Sequence, residues 1–88
     1  MEAAKRSCII HGNCQGEVLA AFLAASPEFS AAWRVEFYVN FTRQAIPEES
    51  LADCGLFLHQ HLGPQWGELS SPALKARLPA RALSVCYP

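Results

Sequence analysis

One side chain in this sequence has both the chemistry and the setting for catalysis. Cys14 sits in the polar turn His11-Gly12-Asn13-Cys14-Gln15-Gly16, between the apolar run Cys8-Ile9-Ile10 and the alanine-rich segment that begins at Glu17. Strand, tight turn and helix follow one another at once. The first backbone N–H groups of a helix lack internal partners and carry its positive dipole end. That end binds anions, and it stabilises the thiolate form of a cysteine. A nucleophile and an anion seat can therefore share this corner. Gly12 and Gly16 flank it, and glycine lets a ligand approach the backbone closely. The bland alternative is a small turn residue packed against the third strand. The run GNCQG matches no phosphate-loop or dinucleotide spacing.

A second polar cluster, His59-Gln60-His61, ends the apolar run Gly55–Leu58. One of its imidazoles can act as general base for Cys14, and the Gln60 amide can donate to a developing oxyanion. The competing reading is a polar loop lip. His11 can orient or deprotonate the thiol, although a backbone-bonded histidine at a strand end is the better reading. His11, Cys14, His59 and His61 also admit a tetrahedral zinc site, a minority reading because no tight Cys-x-x-Cys knuckle is present. Trp33 and Trp66 read as covers for a core edge, and Phe37 and Phe41 as core. Tyr38 and Asn40 belong to a ligand crevice or to an exposed strand face. Lys75, Arg77 and Arg81 read as a solvated group. Asp53 and Glu68 have no evident partner.

These clusters need a frame. The first strand covers about Ser7–His11, and a helix about Gln15–Ala25. Val18, Phe22 and Ala25 follow helical spacing, with Leu19 and Leu23 widening the stripe. Ser26-Pro27 ends that helix, because the residue before proline avoids helical dihedrals. Arg34–Phe41 alternates: Val35, Phe37, Val39 and Phe41 face one way, Arg34, Glu36, Tyr38 and Asn40 the other, as in a half-exposed edge strand. A short helix fits Ile46–Leu51, with Pro47 in its first turn. Gly55–His59 reads as a strand covered on both faces. Ser71 as N-cap and Pro72 as first helical residue open a helix to about Leu78. Ala82–Cys86 is the fourth strand. The alternation predicts an α/β fold: a doubly wound parallel sheet in three α/β/α layers, order 2-1-3-4, Rossmann-like. Ligands of such sheets bind beyond the carboxyl ends of the strands, where the winding reverses. The turn at Cys14 and the tip at His61 would meet there.

Composition narrows the function classes. The 88 residues form a single domain, and 51% hydrophobic with 17% charged residues is a globular composition. A net charge of -1 gives no electrostatic case for nucleic acid. No apolar run approaches the roughly 20 residues that span a bilayer, and MEAAKRSCII does not read as a signal peptide. Four scattered cysteines suit a reduced, cytoplasmic protein without a disulfide framework. A strand at Ala82–Cys86 followed directly by Tyr87-Pro88 reads as the N-terminal fragment of a longer chain. Its exposed sheet edge or face would then be buried by homo-oligomerisation or strand exchange.

GNCQGEVLAAFL, FYVNF, DCGLFLHQHLG and SVCYP together resemble the N-terminal part of the WcbI-type polysaccharide biosynthesis proteins, from Cys8 to Pro88. The most specific parts are the Gly12–Gln15 turn and the Gln60-His61 tip. The layout is similar to SGNH-type hydrolases and acyltransferases, with Cys14 where their serine follows strand 1. The resemblance implies an acetyltransferase that takes coenzyme A or acetyl-coenzyme A and a sugar acceptor in capsular or extracellular polysaccharide biosynthesis, with no metal. It implies Cys14 as the reactive residue and His61 as its partner. Gly12, Asn13, Gln15, Gly16, His59 and Gln60 would line the coenzyme A site. SGNH-type enzymes supply their catalytic Asp and His late in the chain, so these 88 residues alone would be inactive. The alternatives are an SGNH-type esterase, with water as acceptor, and a non-catalytic binding or assembly fragment.

Overall fold

The computed structural model describes residues 5–87. Residues 1–4, the start of the segment read above for a leader, and Pro88 lie outside the described residues. The strands are β1 (Arg6–Gly12), β2 (Trp33–Val39), β3 (Cys54–His59) and β4 (Leu83–Cys86). The helices are α1 (Cys14–Ala25), α2 (Pro27–Ala32), α3 (Glu48–Ala52) and α4 (Ser71–Lys75), with a 3-10 segment at Pro64–Leu69. All strand pairs are parallel, and the sheet order is β2-β1-β3-β4, as the alternation predicts.

Register decides which side chains share a face. His11 pairs with Tyr38 on one side and His59 on the other, and Ile9 pairs with Glu36 and Phe57. Ile9, His11, Phe57 and His59 therefore lie on one face, because alternate strand residues point the same way. That face carries the core of Ile9, Ile46, Leu51, Cys54, Phe57 and Leu74, closed by α3 and α4. Ile10, Gly12 and Phe37 lie on the other face, against Gly16 of α1.

The expected apolar stripe of α1 is misplaced. Val18 and Phe22 are 70% and 72% exposed, whereas Gly16 is buried and Leu19 and Leu23 are half-buried. The helix is alanine-rich and apolar on nearly every side, so spacing alone does not choose its inner face. It packs on β1 and β2, leaving the same side of β3 and β4 bare, where Leu83 and Val85 are exposed. Phe41, read as core, is also exposed, since β2 ends at Val39.

Helix ends shift for definable reasons. Ser26 stops α1, but its hydroxyl also accepts the Phe29 N–H at 3.3 Å and caps α2, which the proline reading missed. Ser70, not Ser71, caps α4, accepting the Ala73 N–H at 3.3 Å. The Ser71 hydroxyl instead accepts the Leu62 N–H at 2.8 Å and ties the loop after β3 to α4. That helix ends at Lys75, short of Leu78.

Candidate active site at the carboxyl edge of the sheet

Asn13 opens α1 as its N-cap, with its Oδ1 accepting the Gln15 N–H at 2.9 Å. Cys14 is the first helical residue, and it is exposed. The turn is fixed from across the sheet. Gln60 Oε1 accepts the Asn13 N–H at 2.8 Å and faces Asn40 Nδ2 at 3.5 Å. Backbone bonds continue the lacing: Asn40 N–H donates to Gly12 O at 2.9 Å, and Gln60 N–H to His11 O at 3.1 Å. The carboxyl ends of β1, β2 and β3 are thus joined through the Gly12–Asn13 turn.

Beside this junction lies a cavity of about 620 Å³, lined by Asn40, Gln60, His61, Leu62, Cys86 and Tyr87. Its size suits a small-molecule ligand. A smaller hollow of about 160 Å³ lies at the opposite, amino ends of the strands, among Lys5, Arg6, Asp53 and Arg81.

The three histidines part company. His61 is exposed and lines the larger cavity. His11 and His59 are buried, on the face opposite α1. His59 stacks on Phe57 with ring centres 5.0 Å apart, and its Nε2 lies 3.2 Å from Ser84 Oγ. His11 Nε2 and His59 Nδ1 are buried with no hydrogen-bond partner among the described residues. Burial, and then the neighbouring His59, push the His11 imidazole down to about 4. Burial also lowers His59. Both rings are thus held neutral at pH 7. Alternation could have found this, since His59 shares its face with Phe57. The zinc grouping does not assemble: among the described residues, no three His, Cys, Asp or Glu side chains cluster to hold a metal.

Gly12 and Gly16 do have something close against them, but it is Tyr87. A Cβ at Gly12 would overlap the Tyr87 hydroxyl, and one at Gly16 would lie 2.5 Å from it. Asn40, read as a possible crevice residue, lines the cavity, and sequence reasoning missed Leu62, Cys86 and Tyr87. Tyr38 turns away to Glu36, its hydroxyl donating at 2.6 Å. Asp53, which lacked an evident partner, pairs with Arg34 at 3.4 Å.

A family model described as "Polysaccharide biosynthesis enzyme WcbI" matches residues 7–88. This chain belongs to the WcbI family. A solved WcbI structure is similar, with a TM-score of 0.78 and 21% identity, over 94% of this chain and 30% of that chain. It is described as "a novel polysaccharide biosynthesis enzyme", "without disulfide bond between COA and Cys14". At that identity the likeness bears on the fold, and the chain spans 30% of that WcbI chain's length. No curated protein matches the sequence. Among the described residues no helix is long and apolar enough to cross a membrane.

Proposed function

We propose that this chain forms the coenzyme A-binding portion of an acyltransferase site, which moves an acetyl group from acetyl-coenzyme A to a sugar hydroxyl during capsular or extracellular polysaccharide biosynthesis. One observation carries the reading: the exposed Cys14 thiol stands at the first position of a twelve-residue helix, in a turn held by Gln60, whose neighbour His61 lines the cavity. The residues fit the substrate. The positive dipole end of α1 suits a phosphate of coenzyme A. The cavity supplies Asn40 and His61 as polar contacts and Leu62 as an apolar wall. The pantetheine sulfur of coenzyme A would lie toward Cys14, a placement supported by membership of a family with one solved structure described as "without disulfide bond between COA and Cys14", wording that names the coenzyme and a cysteine of that protein together.

In the transfer, the sugar oxygen attacks the acetyl carbonyl, the carbon–sulfur bond breaks, and coenzyme A leaves as thiolate. His61, which lines the cavity, would take the hydroxyl proton. In a covalent variant the Cys14 thiolate attacks first, releasing coenzyme A, and the sugar hydroxyl then cleaves acetyl-Cys14. His11 and His59 take no part, being buried on the other face. Activity is assigned to the longer family protein, in an SGNH-like layout. The four free cysteines suit the cytoplasm, and the exposed β4 edge suits assembly with a second copy.

Exchange with oxidised coenzyme A tests the binding part. The attacking cysteine joins one coenzyme A and expels the other as thiolate. Peptide mass spectrometry should find the adduct on Cys14, at the helix start, in about tenfold excess over Cys86, the other exposed thiol, even though Cys86 lines the cavity and Cys14 stands beside it. Equal labelling of both would remove the reading. For the full-length protein, release of coenzyme A from acetyl-coenzyme A should depend on added sugar; release at the same rate without sugar means an esterase.

A further inference from the structure

Tyr87, just past the end of β4, reaches the β1–α1 turn that carries Cys14. Its backbone N–H donates to His59 O at 2.8 Å, which extends the pairing of β4 beside β3. Alternation with Leu83 and Val85 puts its side chain on the α1 face. The ring reaches the β1–α1 turn, and the hydroxyl fills the space that Cβ atoms at Gly12 and Gly16 would occupy. Phe37 and Ile10 bound the same spot at Gly16, 2.9 and 3.5 Å from the position of such a Cβ. The first turn of α1 therefore rests on a phenol, and the two glycines are its seat.

The Tyr87 hydroxyl is buried and makes no hydrogen bond among the described residues. A buried, unsatisfied hydroxyl adds nothing to stability and costs its desolvation. Shape is what the ring contributes. We infer that Tyr87 is a positioning residue for Cys14: its ring props the first turn of α1 above the sheet, and so sets the direction of the thiol and of the helix end that carries it. This rests on the reading of the Cys14 corner as the working end of the site.

Alkylation of Cys14 by iodoacetamide across a pH series, read by peptide mass spectrometry without coenzyme A, tests the inference. Tyr87→Phe should reproduce the wild-type rate profile. Tyr87→Ala should stay folded, leave the buried Cys8 and Cys54 unlabelled, and change the Cys14 rate about threefold or more, with its profile displaced along the pH axis. A Tyr87→Ala profile that superimposes on wild type overturns the inference. So does a Tyr87→Phe profile displaced like that of Tyr87→Ala, which would move the role to the hydroxyl. If Tyr87→Ala does not fold, Tyr87→Leu keeps apolar bulk on β4 but lacks the reach to the glycines. It should then show the displaced profile, and a wild-type profile overturns the inference. Because no coenzyme A is present, the result stands apart from the exchange experiment: failure of coenzyme A to prefer Cys14 sinks the functional reading and leaves this outcome intact.

Discussion

Gln60 Oε1 accepts the backbone N–H of Asn13 at 2.8 Å, across 47 positions of sequence. This bond joins the loop after β3 to the residue that caps α1. Replacing Gln60 with Ala leaves the Asn13 N–H without its acceptor, at a cost of about 1 kcal/mol. Asn13→Ala removes the cap and should cost a similar amount, about 1 kcal/mol. Urea denaturation measures both. Gln60→Ala should also slow coenzyme A exchange at Cys14 several-fold, whereas Gln60→Glu, which keeps an acceptor oxygen, should retain most of the stability. If Gln60→Ala leaves both quantities unchanged, the bond does not position the turn.

The buried His11 makes stability fall on the acid side. Its folded value is pushed down to about 4 from the ordinary 6.5. Between those values the unfolded chain binds the extra proton. The stability that His11 contributes is therefore complete above pH 6.5 and is lost as pH falls toward 4. Over the span from 6.5 to about 4 the full loss should be about 3.5 kcal/mol, on the scale of roughly 1.4 kcal/mol per pH unit, with about 2.5 kcal/mol of it gone by pH 4.5. Urea midpoints from pH 7.5 to 4.5 should drop accordingly, and His11→Gln should flatten the slope. A wild-type slope in that variant would contradict a neutral, buried His11.

Glu36 gives a second, separable acid loss. Burial works against its carboxylate, but the Tyr38 and Ser50 hydroxyls donate at 2.6 and 3.0 Å. Arg34 at 3.7 Å and the Ser7 hydroxyl at 3.3 Å add to this, and together these partners hold Glu36 below the usual carboxylate range. Because the folded value is lowered, the contribution is present above the ordinary carboxylate range and disappears as pH falls through the lowered value. Glu36→Gln should cost about 1 kcal/mol at pH 7 and nothing near pH 2. The test compares denaturation of variant and wild type at both pH values; an equal cost at both would remove the charge from the explanation.

The topology was legible because it rests on local signals. Val35, Phe37 and Val39 alternate with Arg34, Glu36 and Tyr38, which marks β2 as a strand, and proline and serine punctuate the helices. The Gly12–Gln15 turn was legible because polar residues and glycine interrupt apolar runs. What stayed hidden depends on neighbours distant in sequence. Nothing near Phe22 says that α1 turns Gly16 and Leu23 inward instead. Nothing near Gly12 says that a tyrosine from the end of β4 fills the space beside it. The split between His59 and His61 was half legible: spacing put them together, but β3 ends at His59, so His61 leaves the alternation and enters the cavity wall.

The central claim is that acetyl-coenzyme A binds in the cavity lined by Asn40, Gln60, His61 and Leu62, beside the turn that Gln60 ties to Asn13. An ¹⁵N–¹H chemical-shift titration of this chain with acetyl-coenzyme A tests it most directly. The expected result is saturable shifts confined to the Gly12–Gly16 turn, Asn40 and residues 60–62. The contradicting result is no saturable shift there, or shifts gathered instead around Lys5, Arg6 and Arg81 at the amino ends of the strands.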